Sequence, residues 1–149
     1  MKLNYRGMTI YVEKDYAAMS RAAAELLLQT VKQKPAAVLG LATGSTPIGM
    51  YQELVKAYQQ GEVSFAQTVS YNLDEYYPIK HDNDQSYHYF MKENLFRHIN
   101  IQPENTHVPS GEAEDVQKSA AEYDERLYAL GGVDLQVLGI GNNGHIGFN

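Results

Sequence analysis

The chain has 149 residues and contains no cysteine. Disulfide bonds, thiolate nucleophiles and cysteine-based zinc sites are therefore excluded, and a metal ion could be bound only by histidines and carboxylates. The longest apolar runs, Pro35 to Ala42 and Val137 to Ile140, fall far short of the roughly 20 residues of a membrane span, and the N-terminus shows no signal-peptide pattern. These absences predict a soluble, cytoplasmic protein without a membrane partner.

Basic residues are scarce as well, with 12 Lys and Arg against 18 Asp and Glu and a formal net charge of −6. Nucleic acids and anionic membranes bind clustered Lys and Arg, so the composition argues against both as partners. An anionic small molecule would have to be bound by local groups. Backbone N–H groups at the start of a helix suit that purpose, because they carry the positive end of the helix dipole.

Short apolar runs alternate with stretches of helical spacing along the chain. With 44% hydrophobic residues the chain can form one core, and we expect residues 1–149 to form a single domain. Predicted strands cover Met8 to Val12, Ala36 to Ala42, Gln67 to Leu73, His107 to Val108 and Asp134 to Ile140. Helices are predicted after the N-caps Asp15, Thr46 and Ser86 and along the stripe of Val116, Ala120, Tyr123, Leu127 and Leu130. This alternation is typical of an α/β fold with a mostly parallel sheet covered by helices on both faces.

Three unusual segments directly follow predicted strands. They are Leu41 to Pro47, Asn72 to Tyr76 and Gly139 to Asn149. Parallel strands end at one edge of their sheet, and ligands of such folds bind beyond the carboxyl ends of the strands. We therefore expect the three segments to meet at one site.

The first segment contains the turn Thr43-Gly44-Ser45-Thr46. Gly44 permits a tight turn with close backbone approach, Thr46 suits the N-cap and Pro47 suits the first helical position. The N–H groups of Gly44, Ser45 and Thr46 would then point at one site where a phosphate can bind. Taken alone, the segment is as typical of an ordinary capped turn between a strand and a helix as it is of a phosphate-binding loop. It also lacks the GK[ST] ending of a P-loop.

The second segment contains two acids, Asp74 and Glu75. Partial burial at a strand end raises the pKa of a carboxyl towards the range useful for proton transfer, and Asp74 is the candidate base. An isolated Asp-Glu pair is more often a solvated acid or a cap for the next loop. A Mg²⁺ site that adds Asp82 or Asp84 is a weak alternative, because the spacing matches no metal-binding loop.

The third segment places four glycines around His145. Such a loop packs backbone closely around a ligand, so His145 is a candidate acid–base group. A lone histidine is more often structural, but a glycine-rich loop offers it few packing partners. Gly139, Gly141 and Gly144 also spell the GxGxxG of dinucleotide-binding proteins, yet no helix and no acidic residue follow them, which argues against that function.

The sequences LATGSTP, NLDEY and GIGNNGHIGFN, in this order, together resemble the glucosamine-6-phosphate deaminase family. The resemblance implies a Rossmann-like α/β fold shared with 6-phosphogluconolactonases and ribose-5-phosphate isomerases. It also implies hydrolytic conversion of glucosamine 6-phosphate and water to fructose 6-phosphate and ammonia, without a cofactor or a metal ion. A non-catalytic sugar-phosphate-binding module and a 6-phosphogluconolactonase-like hydrolase on the same fold are the alternatives.

The resemblance assigns a role to each segment. It implies that Thr43 to Thr46 bind the phosphate, that His145 assists opening of the sugar ring and that Asp74 carries a proton between C2 and C1. Asn143 stands where many members have Asp, so that an amide would orient the imidazole. The family continues beyond Asn149 with a Glu-Pro and later Lys and Arg, which implies that the chain is an N-terminal part of a longer protein. The oligomeric state, including a homo-oligomer, stays open.

Overall fold

The computed structural model describes all residues, 1–149. The strands are β1 (Lys2–Tyr5), β2 (Met8–Tyr11), β3 (Val38–Leu41), β4 (Val69–Asn72), β5 (Thr106–His107) and β6 (Leu135–Gln136). The helices are α1 (Tyr16–Gln33), α2 (Ile48–Gln59), α3 (Tyr87–Asn94) and α4 (Val116–Ala129), with short 3₁₀ turns at Phe96–His98 and Pro103–Asn105. None of these helices combines the length and the apolar character that a bilayer span requires.

Four strands form a parallel sheet in the order β5-β4-β3-β6. Side chains alternate between the faces of a strand, so Leu39 and Leu41 of β3 point to the same face. Both belong to a core cluster of 15 buried residues that α1, α2 and α3 complete. On the other face, Tyr71 of β4 packs edge-on against Tyr123 of α4, with 5.1 Å between the ring centroids. Helices therefore cover both faces, and the predicted fold class is confirmed.

Local capping explains where two of the helices begin. The carboxylate of Asp15 accepts a hydrogen bond from the Ala18 N–H at 2.7 Å, immediately before α1. The hydroxyl of Ser86 accepts one from the Tyr89 N–H at 3.0 Å, immediately before α3. Both residues are N-caps as the sequence predicts, because each supplies an acceptor to an N–H group that has no partner inside the helix.

The start of α2 differs from the prediction. The helix begins at Ile48, and Pro47, which has no side-chain acceptor, occupies the cap position, so the assignment of Thr46 as the N-cap is wrong. Instead, the hydroxyl of Tyr16, which belongs to α1, accepts a hydrogen bond from the Gly49 N–H at 2.9 Å. An acceptor that is distant in sequence replaces the local one.

The last strand is shorter than the predicted span of Asp134 to Ile140. Its ladder ends where the Val137 N–H donates to the Gly40 carbonyl at 2.8 Å. A longer β6 would pair with the backbone of Ala42. The N–H and the carbonyl of Ala42 are both hydrogen-bonded to the Tyr51 hydroxyl. Residues 138–140 therefore have no pairing partner on β3.

The N-terminal residues form a hairpin that the sequence analysis did not predict. The strand expected at Met8 to Val12 is present as β2, but it pairs antiparallel with β1 and does not join the parallel sheet. Arg6 and Gly7 connect the two strands with φ values of +49° and +85°. A two-residue turn with both φ angles positive matches the right-handed twist of the strands that it joins.

Candidate functional site

The carboxyl ends of β3 and β4 and the segment after β6 enclose a cavity of about 270 Å³. Its lining includes Thr43 to Thr46, Asp74 and His145. The structure thus brings together the predicted phosphate loop, the candidate base and the candidate acid–base histidine. Asn143 does not line the cavity and instead contacts His145. Tyr87, the first residue of α3, lines the cavity too, and no sequence pattern pointed to it.

The loop from Thr43 to Thr46 presents backbone donors to this cavity. None of the N–H groups of Thr43, Gly44, Ser45 and Thr46 donates to another group of the protein. Gly44 adopts a φ of +92° in open space, so a glycine is required here by its backbone conformation rather than by crowding. Unpaired N–H groups before the first turn of a helix attract an anion.

Two tyrosines fix this loop at its ends. The hydroxyl of Tyr51 lies between the N–H and the carbonyl of Ala42, and burial raises the pKa of this phenol well above its ordinary value. The hydroxyl of Tyr16 lies within hydrogen-bond distance of the carbonyls of Ser45 and Thr46. No sequence pattern pointed to either residue, since their partners in this loop are up to 30 positions away in the chain.

Asp74 has the electrostatic environment of a proton carrier. Burial, together with the neighbouring negative charge of Glu75, raises the pKa of its carboxyl, and a hydrogen bond from the Phe148 backbone limits the rise. Gly147 approaches this carboxylate so closely that a Cβ atom there would lie 3.0 Å from Oδ2 of Asp74. The third segment therefore closes over the candidate base. A pKa that is raised towards the working pH suits a group that must both take up and return a proton.

Glu75 has the opposite environment and a structural role. Its side chain is only 1% exposed. Burial alone would raise the pKa of this carboxyl, but hydrogen bonds from the Tyr87 N–H, the His88 imidazole and N–H, and the Tyr76 N–H outweigh burial and lower the pKa. Their lengths are 2.9 to 3.1 Å. Glu75 therefore stays charged and holds the start of α3 beside Asp74.

Tyr87 contributes a hydroxyl to the cavity. Its phenol lies 3.3 Å from the hydroxyl of Tyr76 and near the side chain of Thr43. Burial and the contact with Tyr76 raise the pKa of Tyr87 to about 12, so the phenol is protonated near neutral pH. It can donate a hydrogen bond to an oxygen of a bound ligand.

His145 is held by its own loop. The amide oxygen of Asn143 accepts hydrogen bonds from both Nδ1 and the backbone N–H of His145. In this arrangement Nδ1 carries a proton, and Nε2 is left as the nitrogen that can exchange one. Gly141 lies under the imidazole, and its N–H donates to the His145 carbonyl at 2.9 Å. The predicted orientation by an amide is what the structure shows.

A second, larger cavity of about 550 Å³ lies between α3 and β5 and does not include the three segments. Three of its four basic groups are paired, His81 with Glu112, His88 with Glu75 and Arg97 with Glu93. No group of three or more His, Asp or Glu side chains converges as a metal site would require. Because the three segments converge at the smaller cavity, it is the candidate functional site.

Known proteins resemble this chain over most of its length. The family of glucosamine-6-phosphate isomerases and 6-phosphogluconolactonases matches residues 13–147. The glucosamine-6-phosphate deaminase of Clostridioides difficile (strain 630) is 56% identical over 142 residues, which is 95% of this chain and 57% of that protein. The corresponding deaminase of Halothermothrix orenii is 54% identical over the same length, and this chain covers 59% of that protein. This chain therefore spans somewhat more than half the length of these relatives.

Solved structures agree in fold. A monomeric glucosamine-6-phosphate deaminase of the NagB superfamily superimposes with a TM-score of 0.89 at 42% identity, covering 91% of this chain and 56% of that one. The 6-phosphogluconolactonase of Thermotoga maritima gives a TM-score of 0.74 at 21% identity, over 91% of this chain and 60% of that one, which shows a shared fold only. The chain belongs to the glucosamine-6-phosphate isomerase/6-phosphogluconolactonase family.

Proposed function

We propose that the complete protein hydrolytically deaminates and isomerises glucosamine 6-phosphate to fructose 6-phosphate and ammonia. The observation that carries this proposal is the shared cavity: free loop N–H groups, a carboxyl of raised pKa and an oriented imidazole face one space of about 270 Å³. The relatives and the solved structure of highest identity quoted above are glucosamine-6-phosphate deaminases, which supports the same substrate.

The phosphate is assigned to the loop from Thr43 to Thr46. Its four unpaired N–H groups and the positive end of the α2 dipole favour a dianion there. The lining of the cavity contains neither Lys nor Arg. Within this chain, backbone donors and hydroxyls therefore supply the phosphate contacts, and we expect residues 1–149 alone to bind the phosphate weakly.

His145 is assigned to the opening of the pyranose ring. Opening moves the proton of the C1 hydroxyl away and places a proton on the ring oxygen as the C1–O5 bond breaks. The Nε2 atom of His145 is suited to this exchange, because Asn143 holds Nδ1 and so fixes the orientation of the ring.

Asp74 is assigned to the transfer between C2 and C1. It takes the proton from C2 of the open-chain aldose while O1 gains a proton, which gives an enolamine. It then returns the proton to C1 while the nitrogen loses a proton, which gives a ketimine. Water adds to C2 of the ketimine and ammonia leaves, so that one water is consumed for each ammonia released. A carboxyl of raised pKa is suited to both directions of this transfer.

The direct test is a coupled assay of ammonia release from glucosamine 6-phosphate by the complete protein. We expect saturable turnover, and we expect glucosamine without its phosphate to be a poor substrate, because it cannot occupy the loop. Hydrolysis of 6-phosphogluconolactone serves as the comparison activity. Binding of glucosamine 6-phosphate with no ammonia release would contradict the proposal and favour a non-catalytic binding module.

A further inference from the structure

The hydroxyl of Tyr16 joins α1 to the candidate phosphate loop. It lies 3.1 Å from the Ser45 carbonyl oxygen and 2.9 Å from the Thr46 carbonyl oxygen, and it accepts a hydrogen bond from the Gly49 N–H at 2.9 Å. A phenol has one proton to donate and oxygen lone pairs with which to accept. The Ser45 and Thr46 carbonyls share the proton of the Tyr16 hydroxyl. The hydroxyl oxygen of Tyr16 is therefore hydrogen-bonded both to the turn after β3 and to the first turn of α2.

These contacts set the direction in which a backbone donor points. The C=O and N–H groups of a trans peptide unit point in opposite directions. The Ser45 carbonyl and the Thr46 N–H belong to the same unit. Because the carbonyl is directed at Tyr16 in α1, the Thr46 N–H is directed the opposite way, and Thr46 lines the candidate cavity.

The junction between α1 and α2 is built tightly around this hydroxyl. A Cβ atom on Gly49 would lie 2.8 Å from Cε1 of Tyr16 and 2.4 Å from Oγ of Ser20. The close approach therefore depends on a glycine at position 49. Since Pro47 at the cap position offers no side-chain acceptor, the Tyr16 hydroxyl is the acceptor for the Gly49 N–H.

We propose that Tyr16 is a positioning residue for the phosphate of the substrate. It does not line the cavity and acts through the loop, whose Thr46 N–H it orients. This inference rests on the proposed function, because it requires an anion at Thr43 to Thr46. The positioning role of Tyr16 is important because the cavity lining in this chain contains no Lys or Arg. The direction of the N–H groups then determines how well the anion is bound.

The test is Tyr16→Phe in the complete protein. The variant removes one oxygen atom and leaves the ring packed against Gly49. We expect the KM for glucosamine 6-phosphate and the dissociation constant of inorganic phosphate each to rise about tenfold, the equivalent of one to two lost hydrogen bonds. The kcat should stay within about twofold, and inhibition by unphosphorylated glucosamine should not change, because neither depends on the loop N–H groups.

Two control variants separate positioning from packing. Ser20→Ala alters the same junction, and its buried hydroxyl has no hydrogen-bond partner. Tyr128→Phe makes the same chemical change at a side chain that is 78% exposed. We expect both to bind phosphate like the unmodified protein. A general loosening of the fold would weaken the binding of glucosamine and of phosphate alike, which would contradict the proposal.

Amide hydrogen exchange in the unmodified protein gives a second measurement in case Tyr16→Phe does not fold. We expect the Gly49 N–H to be protected with and without inorganic phosphate, and the Thr46 N–H to become protected only when phosphate is added. Free exchange at Gly49 would overturn the role of Tyr16.

The two proposals can fail separately. If phosphate binds in the unmodified protein and Tyr16→Phe retains full affinity, the inference about Tyr16 is wrong, whatever the activity. If Tyr16→Phe loses phosphate affinity but the unmodified protein releases no ammonia, the inference stands and the proposed function is wrong. If the complete protein binds neither inorganic phosphate nor the sugar phosphate, both are wrong.

Discussion

The imidazole of His145 lies directly against the Cα atom of Gly141. A Cβ atom at position 141 would be 2.1 Å from Cε1 and 2.2 Å from Nδ1 of that ring, which is far inside van der Waals contact. The glycine therefore makes room for the histidine, whose Nδ1 is at the same time hydrogen-bonded to Asn143.

Gly141→Ala is expected to displace the imidazole and to reduce kcat by about 100-fold, since misplacement of a catalytic group by about 1 Å has effects of that size. Steady-state ammonia release measures the effect. The matched control is the same substitution in a His145→Ala background, where the added methyl group has no ring to displace. An equal loss in both backgrounds would show that Gly141 acts by some other route.

Glu75→Gln is expected to lower the free energy of unfolding near neutral pH by about 1 to 3 kcal/mol, because the buried amide would leave hydrogen-bond donors of α3 poorly matched. Glu112→Gln is the control. Its side chain is 47% exposed, lies 3.7 Å from the His81 imidazole and accepts a hydrogen bond from the His81 N–H at 3.0 Å, which an amide oxygen can still accept. The substitution should therefore cost less than about 1 kcal/mol. Urea unfolding measures both.

The effect of Glu75→Gln should depend on pH. The pKa of Glu75 is lower in the folded protein than in the unfolded chain, so its stabilisation is complete above the unfolded pKa. It is lost as the pH falls through the folded pKa. The stability difference between the two proteins should therefore shrink below about pH 4, near the ordinary carboxyl pKa. A difference that stays constant in acid would contradict a charged Glu75.

The acid limb of the kcat profile should report Asp74. The base must be deprotonated, and burial together with Glu75 raises the pKa of Asp74. Activity should thus fall as the pH drops at values above the ordinary range of a carboxyl. Glu75→Gln removes the neighbouring charge and should move this limb to lower pH. An acid limb at the same pH in Glu75→Gln would contradict a contribution of the Glu75 charge to the raised pKa of Asp74.

Asp74→Asn should raise the stability of the protein near neutral pH. A pKa that is raised on folding means that the charged carboxylate is less favourable in the folded state than in the unfolded chain. A neutral amide removes this cost and can still accept from the Phe148 backbone. Thermal unfolding measures the difference, which should diminish as the pH falls and Asp74 becomes protonated. A lower Tm for Asp74→Asn near neutral pH would contradict the environment assigned to this carboxyl.

The sequence predicted the elements that position the site. Apolar runs placed β3 and β4 within one or two residues of their observed ends, and Asp15 and Ser86 cap their helices as their hydrogen-bonding groups favour. Because parallel strands end at one edge, the convergence of the loop at Gly44 with Asp74 and His145 could be predicted without coordinates. The catalytic and phosphate-binding roles of these residues stay predictions.

The contacts that hold the site could not be predicted. Tyr16 and Tyr51 act through hydroxyls whose partners depend on how α1 and α2 pack, and twelve tyrosines in the chain carry no local mark that distinguishes these two. The sequence does not distinguish Asp74 from Glu75, which are adjacent acids after the same strand. Only the position of α3 shows that Glu75 accepts hydrogen bonds that lower its pKa, whereas the pKa of Asp74 is raised. The hairpin turn at Arg6-Gly7 had only a partial signal, since Gly7 suits a position of positive φ but Arg6 is not a residue that favours one.

The most direct test of the account is the exchange of the C2 hydrogen of glucosamine 6-phosphate with solvent in D₂O, followed by NMR in the complete protein and in Asp74→Asn. If Asp74 carries the proton between C2 and C1, the unmodified protein incorporates deuterium while releasing ammonia. The Asp74→Asn variant, folded and still able to bind inorganic phosphate, should do neither at a measurable rate. Full exchange and turnover by Asp74→Asn would contradict the assignment of Asp74 as the base.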